Sequence, residues 1–182
     1  MFINNINFGS CWLIVRSVKC LTLSSQLKIE MFNPTPLNLP AYPFKITKKD
    51  DVVFIFDELR KKHLVLTPEE WVRQHFIQNL IAVKKFPKTL IQIEGGLVLN
   101  QLQKRSDILV YNTAGEKLML IECKAPKVKI TQTVFEQASR YNSIHQAKWI
   151  VLTNGLQHVY AKMDIEKGSF AFTPEMPDYL NL

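Results

Sequence analysis

Two periods of apolar spacing alternate along the chain, and each change of period marks an element. Val52 to Phe56 (VVFIF) is β-branched and aromatic, and Leu64 to Leu66 (LVL) follows the charged turn DELRKKH, which predicts an N-terminal hairpin. Thr67-Pro68-Glu69-Glu70 then reads as a helix start, with Thr67 as the N-cap, proline at the first position and two carboxylates facing the positive end of the helix dipole. Val72, Phe76 and Leu80 recur at helical spacing before Pro87, and Glu69, one turn ahead of Val72, shares their inward face. Thr89 to Asn100, Ser106 to Asn112 and Lys117 to Lys124 read as three strands. Thr131 to Gln146 reads as a second helix, followed by strands at Trp149 to Thr153 and Val159 to Met163. The order helix, strand, strand, strand, helix, strand predicts an α/β fold, a central mixed sheet flanked by helices.

The ends of the chain break this pattern. Residues 1–30 have no amphipathic period, and their longest apolar run, Cys11 to Val15, is too short for a membrane span or a signal core. They read as a disordered leader or a start-site artefact, because Met31 offers a second start. Residues 31–50 hold Pro34, Pro36, Pro40 and Pro43 and read as a proline-rich tether, leaving residues 51–182 as the domain. At 182 residues and 47% hydrophobic content the chain suffices for one ordinary core.

Charge narrows the choice of partner. Lys and Arg number 23 against 16 Asp and Glu, a net charge of +7, which suits a polyanion such as DNA or simply a soluble basic protein. Three unpatterned cysteines, Cys11, Cys20 and Cys123, point to a reducing, cytoplasmic setting, and the four scattered histidines show no zinc spacing. No nucleophile elbow or dinucleotide glycine pattern is present, and Gly95-Gly96 reads as a strand bend.

The chemistry concentrates between Arg105 and Pro126. Asp107 begins the apolar strand ILVY, and Glu122 and Lys124 end the strand LMLIECK, where alternation puts them on one face. A hairpin turn over Asn112 to Glu116 brings Asp107 to the same end of the sheet as Glu122. Two carboxylates there are hard oxygen ligands for Mg²⁺, with Mn²⁺ as a substitute, and Lys124 can hold water or offset phosphoryl charge. An E-x-K triplet alone also reads as a charged strand end. Against that, the run Leu118 to Ile121 looks buried on both faces, and charges placed directly after it need a reason. Gln137 and Tyr141, four apart on the second helix, fall on a face with Val134 and Ile144, and Gln137 there needs a hydrogen-bond partner. Glu69 could complete a metal shell or serve only the helix dipole; Glu70 and Glu94 are weaker candidates of the same type. Lys104, Arg105, Lys127 and Lys129 are candidate phosphate contacts, equally readable as a solvated face.

The strings IFDELRKKHLVLTPEEWVRQHF, KRSDILVY, LMLIECKAPKVKITQ, FEQASRYN and VLTNGLQHVY, in this order and spacing, resemble the N-terminal nuclease domain of type I restriction enzyme R subunits in a short stand-alone bacterial form. That resemblance implies a PD-(D/E)XK core and a Mg²⁺-dependent DNA endonuclease. It implies Asp107 and Glu122 as metal ligands with the backbone carbonyl of Cys123, Lys124 as catalytic lysine, and Glu69 as the acid often found on the first helix. Gln137 and Tyr141 match the Q-x-x-x-Y helix motif, which supports the active site and DNA binding. Ser106 stands where the superfamily pattern has proline, a change that touches no ligand. The motor loop G-x-x-x-x-G-K-[ST] does not occur in these residues. The expected arrangement is therefore action alone, as a homodimer, or with a separate motor or specificity subunit, and no membrane. The competing expectation is a catalytically silent DNA-binding or assembly module that keeps the nuclease fold.

Overall fold

Strand formation begins earlier than the proline spacing suggests. The computed structural model describes residues 34–93 and 107–181, which from Thr35 onward belong to one compact unit, Thr35–Leu182. Residues 1–33, with the leader, lie outside the described residues, as do 94–106, with Glu94, Gly95, Gly96, Lys104 and Arg105. Ile46–Lys49 (β1) pairs antiparallel with Val52–Asp57 (β2), and β2 pairs with Lys62–Val65 (β3), so the expected hairpin is the larger part of a three-stranded sheet. The proline-rich stretch is packed rather than loose. Asn38 donates its backbone N–H to Gly155 O at 2.7 Å and its side-chain amide to Leu156 O at 2.7 Å.

The first helix, Pro68–Gln78 (α1), starts as its sequence dictates: the Thr67 hydroxyl accepts from the Glu70 N–H at 3.1 Å, satisfying one of the orphan donors of the first turn. Its last turn widens into a π-helical turn at Asn79–Val83. A 3₁₀ turn at Lys88–Leu90 then leads into Ile91–Ile93 (β4), so the strand expected from Thr89 begins two residues later.

Six strands form the main sheet in the order β4, β5 (Ile108–Tyr111), β6 (Lys117–Cys123), β7 (Trp149–Thr153), β8 (His158–Asp164) and β9 (Ser169–Thr173). Among the described residues only β6 and β7 run parallel, because the second helix, Gln132–His145 (α2), crosses between them; the other pairings are antiparallel. The β5–β6 turn follows from Asn112, whose side-chain oxygen accepts from Ala114 N–H and Glu116 N–H, and from Gly115 at φ +80°. Alternation along β5 to β7 divides the core. Ile108, Val110, Met119, Ile121 and Val151 pack with Val72, Phe76 and Leu80 of α1, while Leu109, Leu120, Ile150 and Leu152 pack with Phe135 and Ala138 of α2. Leu118 to Ile121 is buried throughout, so β6 is covered on both faces.

The inward face of α2 differs from the expected one. Phe135, Ala138 and Asn142 are buried, whereas Gln137 and Ile144 are exposed and Val134 and Tyr141 are only partly covered. Asn142 tolerates burial because it exchanges two 2.9 Å hydrogen bonds with the backbone of Ala147, beyond the helix end at Gln146. The apolar stripe read from Val134 and Ile144 is thus rotated by one residue, and Gln137 is relieved of the need for a buried partner. The strand β9 was not anticipated; its Phe170 and Phe172 lie two residues apart on one face and both pack on Phe135.

Candidate active site

Register brings the acidic pair together. Ile108 of β5 faces Ile121 of β6, so Asp107 and Glu122 stand one residue beyond that pair, opposite each other at the same end of the sheet. Asp107 is held from two sides: Oδ2 accepts from the Cys123 N–H at 2.6 Å, and Oδ1 accepts from Arg73 Nη2 of α1 at 2.7 Å. Lys124, whose own N–H donates to Thr153 O of β7 at 2.8 Å, places Nζ 2.6 Å from Glu122 Oε1. Both partners of that ion pair are mostly buried.

The electrostatics follow from burial and from the closeness of the acids. Burial pushes the Glu122 carboxyl above its ordinary range, and the charge of Asp107 pushes it the same way, against the pull of Lys124. Burial, the largest single effect, works to lower Lys124, yet its hydrogen bond to Glu122 together with the charges of Glu122, Asp107 and Glu69 outweighs it, and the ammonium is held more tightly than usual. Lys124 is therefore a cation at neutral pH in this arrangement, suited to offsetting phosphoryl charge rather than to taking a proton from water. The fully buried Cys123 thiol is pushed well above its ordinary value, first by burial and then by Asp107, so only its backbone is available to the site.

Behind Asp107 lies a network that the sequence pattern did not single out. Arg73 pairs with Asp107, with Glu69 at 3.1 Å through the same Nη2, and with Glu70 through Nη1. Glu70 is 5% exposed and also accepts from Arg60 Nη2 and Gln74 Nε2, each at 2.8 Å. Asp57, at the end of β2, takes Arg60 Nε at 2.7 Å and Gln74 Nε2 at 2.8 Å and closes the array. The signal for it was the i, i+3 and i, i+4 spacing of Glu69, Glu70, Arg73 and Gln74 beside an apolar stripe. Both oxygens of Glu70 thus accept hydrogen bonds within this network, and Glu69 gives one oxygen to Arg73.

A family model described as type I restriction enzyme R protein N terminus matches residues 68–177, more than half of the chain. The chain belongs to that family. A solved fragment described as an HsdR subunit of a type I restriction enzyme from Vibrio vulnificus is 26% identical, with a TM-score of 0.35; the match covers 50% of this chain and 17% of that one. No curated protein matches. The family match runs from the first helical residue, Pro68, past β9, and so contains Glu69, Arg73, Asp107, Glu122, Cys123 and Lys124 as well as Gln137 and Tyr141.

Not all the expected site residues converge. Gln137 lies exposed on α2, and Tyr141 packs against the cluster formed by Leu109, Leu120 and Leu152. Lys127 and Lys129 are exposed on the loop that follows Lys124, which is anchored by Asn154 Nδ2 donating to Val128 O at 2.8 Å. Among the described residues no three His, Cys, Asp or Glu side chains are grouped to hold a metal ion. Asp107 and Glu122 nevertheless fit magnesium, which commonly takes one or two carboxylates and fills its other positions with water and substrate phosphate. Two facing acids, one with its charge opposed by burial, are a donor set that a hard dication relieves. No helix among the described residues is long and apolar enough to cross a membrane.

Proposed function

We propose that this chain is a Mg²⁺-dependent DNA endonuclease of the PD-(D/E)XK type, acting in restriction or DNA processing. The observation that carries the reading is the meeting of Asp107, Glu122 and Lys124 at the end of a strand buried on both faces, in a chain of the R-protein N-terminal family. Asp107 and Glu122, with the carbonyl of Cys123, are the residues that would hold the ion. When bound, the ion supplies charge neutralisation at the phosphoryl group and lowers the pKa of water. Lys124, kept cationic by Glu122, offers its ammonium to the developing phosphoryl charge, and Asp107 is kept in orientation by Arg73 and the Cys123 N–H. Lys127 and Lys129, together with Lys104 and Arg105, are assigned to phosphates of the DNA backbone, and Gln137 and Tyr141, which do not converge on the acids, to DNA binding. A motor or specificity function would come from another subunit, and cutting both strands of a duplex would need a second copy or a second event.

A second reading, a DNA-binding or assembly module without turnover, is favoured by one observation: both oxygens of Asp107 already have donors. Incubation of supercoiled and linear DNA with the purified chain and Mg²⁺ or Mn²⁺ separates the two. Nicking or cutting by wild type, lost in Asp107→Asn, Glu122→Gln and Lys124→Ala with DNA binding retained, supports the nuclease. DNA binding without cutting on every DNA form supports the silent module.

A further inference from the structure

Arg73 touches three of the acids around the site. Its side chain is 9% exposed, its terminal nitrogens reach Glu69, Glu70 and Asp107, and its Nε–H is buried without an acceptor. A guanidinium that leaves one donor unsatisfied is held there by charge, since full hydrogen bonding is not what its position provides. Asp107 has one oxygen on Arg73 and the other on the Cys123 N–H, and Glu69, 44% exposed at its side chain, has one oxygen on the same nitrogen of Arg73.

A second divalent ion beside the first would draw on Glu69 and share Asp107, displacing donors that Asp107 already has, because among the described residues the oxygens of Glu70 and Asp57 are held by Arg60, Arg73, Gln74 and backbone N–H groups in the array behind it. Between Glu69 and Asp107 stands the guanidinium. We propose that Arg73 is a positioning residue that acts as the fixed second cation of this site: it orients Asp107, keeps Glu69 out of the metal shell, and restricts the protein to one divalent ion. The inference rests on the metal-dependent nuclease reading and deepens it. It places Glu69 as a partner of Arg73, where its position on the first helix left open a place in the metal shell.

The test is to count Mn²⁺ bound to the full chain without DNA, by calorimetry and by the loss of the free-ion electron paramagnetic resonance signal. Wild type is expected to bind one ion per chain, Arg73→Lys, which keeps the charge, also one, and Arg73→Gln a second. Two ions on wild type, or an unchanged count in folded Arg73→Gln, overturns the assignment. Should Arg73→Gln not fold, Glu69→Gln decides: unchanged affinity supports the role of Arg73, while a weakening of roughly tenfold or more makes Glu69 a ligand and refutes it. Failure of wild type to bind any ion brings down the metal-dependent reading itself, whereas a count of two leaves that reading standing and removes only the role given to Arg73.

Discussion

Adjacent glutamates on α1 should respond very unequally when each loses its charge. Glu70 is 5% exposed; one oxygen accepts from Arg60 and Gln74 at 2.8 Å each, and the other accepts from Arg73. In Glu70→Gln the amide keeps the volume but points an NH₂ at a guanidinium and leaves two largely buried arginines short of a counter-charge. Removing one partner of a buried pair costs about 3–5 kcal/mol. Glu69 is 44% exposed at its side chain and makes a single 3.1 Å contact, so Glu69→Gln should cost about 0–1 kcal/mol. For a chain of this size each kcal/mol moves the melting temperature by about 2–4 °C, so Glu70→Gln should melt about 6–20 °C below wild type, and Glu69→Gln within about 4 °C of it. The helix start does not confound the comparison, because the Thr67 hydroxyl accepts from the backbone N–H of residue 70, which either substitution preserves. Thermal melts followed by far-UV circular dichroism measure both. If Glu70→Gln melts within about 3 °C of wild type, the buried array does not carry the stability assigned to it.

Two further outcomes follow from the same structure. His75, His145 and His158 are each held below the ordinary histidine value, chiefly by burial, so their folded forms resist the proton that the unfolded chain accepts. The stability they contribute is complete above the unfolded value of about 6.5 and is lost as pH falls from there through their lower folded values; urea melts at about pH 7.5 and about pH 5.5 should show the lower pH less stable, and equal midpoints would contradict this. On the loop after Lys124, the double change Lys127→Ala with Lys129→Ala should reduce the slope of log affinity for duplex DNA on log salt by about 1.8 if both meet phosphate, as fluorescence anisotropy across a salt series would report; an unchanged slope assigns them to solvent.

What could be read from sequence was local, and what could not be read was long-range. The cap at Thr67, the Asn112 turn and the doubly covered run Leu118 to Ile121 are each decided within a few residues, so their residues dictated their structure directly. The meeting of Asp107 with Glu122 needed one more step, the register of a single hairpin, and there the short turn leaves little freedom. A slip of one residue would turn Ile108, Val110, Met119 and Ile121 away from α1, so the hydrophobic core enforces the register that pairs the acids. The face of α2 was misjudged because Val134 and Ile144 suggest a stripe of their own, whereas the buried one, Phe135, Ala138 and Asn142, lies one position on and includes a polar residue that satisfies itself on Ala147. Arg73 escaped notice for a related reason. Along α1 it is one polar residue among Glu69, Glu70 and Gln74, and its meaning comes from Asp107, 34 residues on and across the interface between helix and sheet. The same separation makes Arg73 informative: a residue that joins α1 to the start of β5 lets the packing of the helix fix the orientation of the acid, so the geometry of the site depends on the fold of the whole domain rather than on one hairpin.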